Sequence, residues 1–456
     1  MGLGRSGEIP FPTLAKGFLR FITSTRFRSE WKKERLIIEK TMQKRIAIIG
    51  GGAAGLICAA TLIEHGSKAE IHLFERNPIL GAKVIISGGG RCNVTTGITD
   101  KKVLFSKYTR GADFLKTSFY DFPPEKVVEW FESHGVPLKN EEDNRVFPKS
   151  DDGKDVVGAF ERLFTRQKVR IQLNEAVKSV APINGLFDVE TNKAFYQFDT
   201  IVLTTGGNAY QHTGSKGDGY AFAKECGHTI TKLGPSLNSF LTQEEWPKNL
   251  SGISLENAKL EAIAEDGQKK TATGPIIFTH FGLSGPATFA LSSHLAFTTI
   301  TKDSPVTIHL TPVEGRSHDE WDRVLQKKFQ ENGARQVHNI LSEFFPGRLA
   351  DTILELASIN LTKKAAELSK QDRKRIVELL SGKLSMNFIT RRPGDEFVTA
   401  GGVSLSEVDD KTMESKIMPG LYFAGEILDI DGVTGGFNLQ SSWATGRVAG
   451  RSIKRL

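Results

Sequence analysis

Residues 45–75 read RIAIIGGGAAGLICAATLIEHGSKAEIHLFE. Ile46 to Ile49 make a short apolar strand, followed by a glycine turn, a helix of small residues and a second strand ending in the acid Glu75. The glycines at 50, 52 and 55 have separate tasks. Gly50 allows the tight turn, Gly52 lets backbone approach a pyrophosphate, and Gly55 lets the helix pack on the strand, while the helix N-terminus offers free N–H groups to phosphate. Glu75 follows at the spacing where a carboxylate accepts hydrogen bonds from an adenosine ribose. Strand, turn, helix, strand and acid in this order predict an adenine dinucleotide site.

Two further segments narrow the ligand. Residues 81–96, GAKVIISGGGRCNVTT, place three consecutive glycines between Lys83 and Arg91, with Cys92 and Asn93 next. Such a backbone can lie flat against a planar ring. Near the C-terminus an apolar strand (Leu421 to Ala424) runs into GEILDIDGVTGGFNLQ (425–440), followed by a small-residue helix expected from about Ser441. Glu426 then stands at a strand end, and the Gly435 to Asn438 backbone at a helix N-terminus, where the dipole can hold negative charge on a reduced flavin.

In these segments, and in SGGGRCN (87–93), RVFPKS (145–150), TGG (205–207), GSKGDGY (214–220), THFGLSGPA (279–287) and TMESK (412–416), the chain resembles the bacterial BaiN- or YhiN-like family of FAD-dependent oxidoreductases from Lys44 onward. The TGG and GDG pieces resemble fumarate-reductase-type flavoproteins more distantly. The resemblance implies FAD as cofactor. Its contacts would include Gly50, Gly52, Ala54, Gly55, Glu75 and Arg76 in the first unit, and Lys83, Gly89, Arg91, Cys92 and Asn93 in the second. Val177 beside an adenine, Thr205 and Gly206 at a strand end, and Gly425, Glu426, Asp431, Gly436, Phe437, Asn438 and Gln440 in the last segment complete the set. Asn144, Thr96, Phe437 and Asn208 to Gln211 depart from the family pattern beside this site and bear on substrate identity more than on FAD.

Composition bounds the alternatives. Residues 1–45 hold eleven Lys or Arg against four Glu, so the whole formal charge of +7 lies there and the remaining residues balance at 49 basic and 49 acidic. A balanced body argues against nucleic acid as partner. Cys58, Cys92 and Cys226 are too few and too scattered for a disulfide framework or a metal site, which fits a reducing, cytoplasmic compartment. Phe11, Leu14, Phe18 and Phe21 form an apolar stripe among cations, suited to membrane contact through residues 1–40. The favoured reading of residues 1–43 is a disordered or artificially extended N-terminus.

The expected architecture is α/β: a Rossmann-like FAD-binding domain (44–207 and 385–456) split by an inserted β-barrel-like domain (208–316) that carries a helical subdomain (317–384). Residues 386–416 are read as strands returning to the first domain, and Arg145-Val-Phe-Pro as a turn. No second strand-GxGxxG-helix unit and no cysteine pair exist for a resident NAD(P)H, so a nicotinamide donor would bind transiently. His280, in a glycine-punctuated loop, is the leading proton-transfer candidate near neutral pH, with Cys92 as a thiol alternative; a structural histidine and a packing cysteine are the competing readings. The expected function is hydride transfer between flavin and a small organic substrate, amine oxidation and enone reduction both being admitted by the resemblance. An FAD-dependent RNA-modifying transferase and a non-catalytic flavin-bound scaffold are the alternatives.

Overall fold

The computed structural model describes residues 43–166 and 169–453. Residues 1–42, with the apolar stripe and the membrane contact expected of them, lie outside that range.

The run Ile46–Ile49 is buried because it forms the central strand (Arg45–Ile49) of a five-stranded parallel sheet. Glu70–Phe74 and then Val169–Gln172 flank it on one side, and Thr200–Leu203 and then Leu421–Phe423 on the other. Both faces must then be covered, which explains the apolar runs without polar alternation. One cover is the helix Ala53–Glu64, against which the C-terminal helix Phe437–Ile453 packs. Their approach is set by small residues: a Cβ on Gly446 would stand 2.4 Å from the Ala54 carbonyl oxygen, and one on Gly450 2.6 Å from that of Cys58. The contacts advance in the same direction along both chains, so the two helices run parallel.

The meander of Val177–Ile183, Leu186–Thr191 and Phe195–Phe198 sits beside the sheet. Arg145–Pro148 is a strand and not a turn. It is the middle of a three-stranded sheet with Thr95–Thr96 and Leu138–Asn140, and it tolerates its terminal proline because that residue lies at the strand end.

The inserted domain is a closed six-stranded barrel whose strands, in order, are Phe240–Thr242, Gly282–Ser284, Lys269–Thr279, Ser254–Ile263, Val306–Thr311 and Leu384–Arg391. Leu384–Arg391 therefore closes the barrel and does not return to the first domain: Phe388 pairs with Val306 on one side and Thr242 on the other. The helices from His318 to Glu378 share one core with the barrel, through Trp321, Leu325, Ile353 and Ile376 against Leu310 and Phe388. The first boundary also moves, since the helix Asp218–Glu225 buries Tyr220, Phe222 and Ala223 in the core of the parallel-sheet domain.

A buried ion pair ties the two parts together. Asp431, fully buried, accepts from the Arg110 guanidinium, from Ser236 Oγ at 2.8 Å and from Ser293 Oγ at 3.1 Å. Ser293 lies on the helix Pro286–His294, which packs on the barrel. Among the described residues no helix is long and apolar enough to cross a membrane.

Candidate functional site

The three glycines of the first turn have different surroundings. A Cβ on Gly50, which has φ of +113°, would stand 2.4 Å from the Thr204 carbonyl oxygen, and one on Gly55 2.0 Å from that of Gly50. Both positions are closed by the protein itself. Gly52 differs: nothing lies within 4 Å of its Cβ position, and its backbone is extended, so the absence of a side chain there serves open space.

That space is a cavity of about 1130 Å³. Typical ligand pockets measure roughly 300–1,000 Å³, so this one has room for an extended dinucleotide and a second molecule. Gly50, Gly52 and Ala54 line its floor. The first hydrogen bond of the helix runs from Leu56 N to Gly52 O, leaving the preceding N–H groups free of intrahelical partners. The C-terminal helix begins likewise, with Gln440 N bonded to Gly436 O, and Gly436, Phe437 and Asn438 line the same cavity. The two parallel helices are offset, Gly446 lying level with Ala54, so their positive N-terminal ends open onto the cavity at different points along it, each a place for negative charge.

Glu75 is fixed at one end. Its carboxylate accepts from Gly51 N and Asn77 N, both at 2.9 Å, and burial raises its pKa although those bonds oppose the rise. Arg76 pairs with Asp218, and Asn77 Nδ2 donates to Thr213 O at 2.8 Å, so residues 213–218 form a strap along this end. Val177 lines the wall beside Glu175 and Ala176. Thr205, Gly206 and Gly425 line the middle, and the buried Thr205 Oγ1 has no protein partner. The empty Cβ position at Gly52 and the two helix N-termini that open on the cavity suit a polar, anionic ligand.

At the other end Gly89 and Asn93 face the second helix N-terminus. The Asn93 amide, turned so that both its ends are satisfied, donates to Thr95 O and accepts from Gly436 N, each at 3.0 Å. Lys83 pairs with Glu426 across the wall at 2.8 Å. Beyond them stands an aromatic group that sequence patterns did not reveal. Tyr210 stacks on Phe397 at 5.6 Å, and Phe289 meets Phe397 edge-on at 5.0 Å, with Leu237, Pro275 and Pro286 nearby on the lining. These residues come from distant segments, so no local spacing could announce them. Backbone strain concentrates here: Asn144, Tyr210 and Leu237 line the cavity with φ of +63°, +56° and +56°, and Cys92 adjoins it with +60°. Non-glycine residues in that region cluster where function holds them.

Five expected contacts lie elsewhere. Gly55 packs on the strand turn. Arg91 is taken up by Glu141 at 2.8 Å and lies over the Phe147 ring at 3.8 Å. Asp431 is consumed by Arg110. Gln440, fully buried, bonds Thr95 Oγ1 at 2.6 Å and Phe122 O at 2.9 Å. Cys92 is fully buried, its thiol pushed up to about 12 by burial, which leaves no thiolate at neutral pH. His280 is exposed and outside the cavity lining. The barrel strand ending at Thr279 turns back at Gly282, and this directs Pro286 and Phe289 toward the cavity in place of the histidine. Neither residue expected to carry the chemistry reaches the cavity.

The 3-dehydro-bile acid delta(4,6)-reductase of Clostridium scindens is 29% identical over 90% of this chain and 98% of its own. The ribosomal RNA dihydrouridine synthase of Haemophilus influenzae is 28% identical over 90% and 98%. Among solved structures, the open conformation of a flavocytochrome c3 fumarate reductase aligns over 93% of this chain and 81% of its own, at 16% identity and a TM-score of 0.44. The model of the HI0933-like protein Rossmann domain matches residues 44–452, nearly the whole described chain, and the protein belongs to that family of FAD-dependent oxidoreductases.

Proposed function

We propose that this protein is an FAD-dependent reductase that delivers a hydride to a carbon–carbon double bond conjugated with a carbonyl group. The N–H groups from Gly52 to Ala54 would hold the pyrophosphate of FAD, Glu75 and Val177 its adenosine, and Gly89 with the Gly435 to Asn438 backbone its flavin ring. Bound there, FAD supplies the two-electron chemistry, and the protein supplies orientation and electrostatics. The observation that carries this reading is the continuity of one cavity from the two helix N-termini to the wall of Tyr210, Phe397 and Phe289. A flat conjugated ring stacks on such a wall.

The names of the two kinds of relative support the chemistry, since a delta(4,6)-reductase and a dihydrouridine synthase both saturate a carbon–carbon double bond. They differ in substrate size. The charge balance outside residues 1–45 and the apolar wall favour a small, flat enone. A uracil ring in RNA is the second reading, favoured by the ribosomal RNA relatives and by the cations Lys107 and Lys216 on the lining, and it tempers the sequence-based exclusion of nucleic acid.

The test is anaerobic. NADH or NADPH is mixed with the holoenzyme, and the reduced flavin is then offered a steroid enone, cyclohex-2-enone, an amine panel or uridine-containing RNA, with flavin absorbance followed. Reoxidation by an enone supports the reading. Reoxidation only by RNA assigns the second reading, and flavin reduction by amines with no reoxidation by any double bond overturns both.

A further inference from the structure

The reduction of a conjugated carbonyl needs a proton as well as a hydride, and neither His280 nor Cys92 stands where it could give one. Lys83 does. Its Nζ donates to Glu426 Oε2 at 2.8 Å and reaches Ala209 O at 3.5 Å. An ammonium has three donors, so one N–H remains for the cavity that Lys83 and Glu426 both line. The same nitrogen lies 5.9 Å from the centre of the Tyr210 ring, the ring that stacks on Phe397. It is therefore at the edge of the aromatic wall, where a substrate would meet the flavin.

The carboxylate partner is held from behind. Thr399 N donates to Glu426 Oε1 at 2.9 Å, and Thr399 Oγ1 accepts from Asn208 N at 2.7 Å. Four separate segments of chain thus converge to set one ion pair. With side chains 30% and 15% exposed, such a pair contributes little to folding. Its construction is better explained by the need to aim an ammonium. Two of the other cations on the lining, Arg76 and Arg145, are turned onto Asp218 and Asp143.

We propose that Lys83 is the catalytic acid of the reaction, with Glu426 as its positioning residue; the inference rests on the reductase reading above. The free N–H donates to the carbonyl oxygen of the bound substrate. As a hydride from the reduced flavin adds to the β-carbon, the π electrons of the double bond shift toward the carbonyl and its oxygen takes the charge. The Lys83 proton moves to that oxygen, leaving a neutral amine and an enol. The enol tautomerises by gaining a proton at the α-carbon and losing the one on oxygen, and solvent reprotonates Lys83. The flavin is left oxidised, and an external hydride donor such as a reduced nicotinamide restores it.

The test uses purified holoenzyme and the variants Lys83→Met and Lys83→Arg. Flavin content is measured first, then affinity for 4-cyanophenolate, whose charged oxygen imitates the enolate, by its perturbation of the oxidised flavin spectrum. Lys83→Met should keep its FAD and bind the phenolate roughly 10- to 100-fold more weakly, the loss of one hydrogen bond to a charged group. Its single-turnover reduction of cyclohex-2-enone should fall by about 100- to 1,000-fold, as when an oxyanion donor is removed. Lys83→Arg should restore phenolate affinity but not the rate, because guanidinium holds an oxygen without giving up a proton.

Unchanged phenolate binding in Lys83→Met, recovery of the rate in Lys83→Arg, or flavin loss in both variants would overturn the assignment. Wild-type FAD enzyme that neither binds the phenolate nor reduces the enone would instead remove the reductase reading beneath it.

Discussion

Gly52→Val separates the ligand's demands from those of the fold. Gly52 has ordinary extended backbone, with φ of −84° and ψ of −169°, and no atom within 4 Å of its Cβ position. The protein alone therefore gives no steric reason to exclude a side chain. Losing glycine at a helix N-cap and reducing the freedom of the unfolded chain act in opposite directions, each by about 1 kcal/mol or less. The apo variant should melt within about 4 °C of apo wild type. A branched side chain would nonetheless fill the space through which a pyrophosphate approaches the helix. Losing two charge-assisted N–H bonds costs about 3–6 kcal/mol, or roughly 150- to 20,000-fold in FAD affinity. Gly55→Ala is the contrast, because its Cβ would meet Gly50 O at 2.0 Å and Thr204 Oγ1 at 2.8 Å. That change should destabilise the apo protein by about 1–3 kcal/mol or more through overpacking. Calorimetry of the apo proteins and fluorescence titration with FAD read the two effects separately. A Gly52→Val protein with wild-type FAD affinity, or one that melts as low as Gly55→Ala, would refute the division of roles.

Asp431→Asn should destabilise by about 3–5 kcal/mol, because it strands the Arg110 cation against Ser293, yet the folded fraction should keep one FAD per chain; chemical denaturation and flavin absorbance check this. Cys92 should resist iodoacetamide at pH 8 until the chain unfolds, since burial holds its thiol near 12; rapid labelling of native protein, located by peptide mass, would contradict its placement. Stability should decline as pH falls below about 6.5. His72 and His228 are buried with pKa values lowered mainly by desolvation, so the unfolded chain takes up their protons first. The contribution is present above the unfolded value and is lost toward the folded one, with a limiting slope of about 1.4 kcal/mol per pH unit for each histidine. Urea midpoints from pH 7.5 to 5 for wild type and His228→Asn measure it, and equal slopes would exclude His228.

The strand-turn-helix-strand frame of the candidate dinucleotide site is legible in the sequence because its physics is local. Gly50, Gly52, Gly55 and Glu75 act within one strand-turn-helix-strand unit, where spacing alone fixes direction. The C-terminal segment was legible for the same reason, though its helix begins at Phe437, earlier than composition implied. Legibility failed where a residue's partner is far along the chain. Asp431 sits among flavin-site residues in sequence, and only Arg110 and Ser293, brought to it by folding, make it structural. Leu384–Arg391 completes the barrel from beyond a long helical insertion, so its apolar alternation gave no sign of its partners. Tyr210, Phe289 and Phe397 form one wall from three segments without a shared motif. His280 was attractive for its chemistry, but the turn that reverses its strand points other residues inward.

The ligand proposed for the cavity is an adenine dinucleotide bearing a flavin. The most direct test is to purify the native protein, release its ligand by heat, and identify and quantify it by mass spectrometry and absorbance. FAD at one per chain is the predicted result. FMN, or a colourless protein whose spectrum and melting point FAD leaves unchanged, would contradict the central claim.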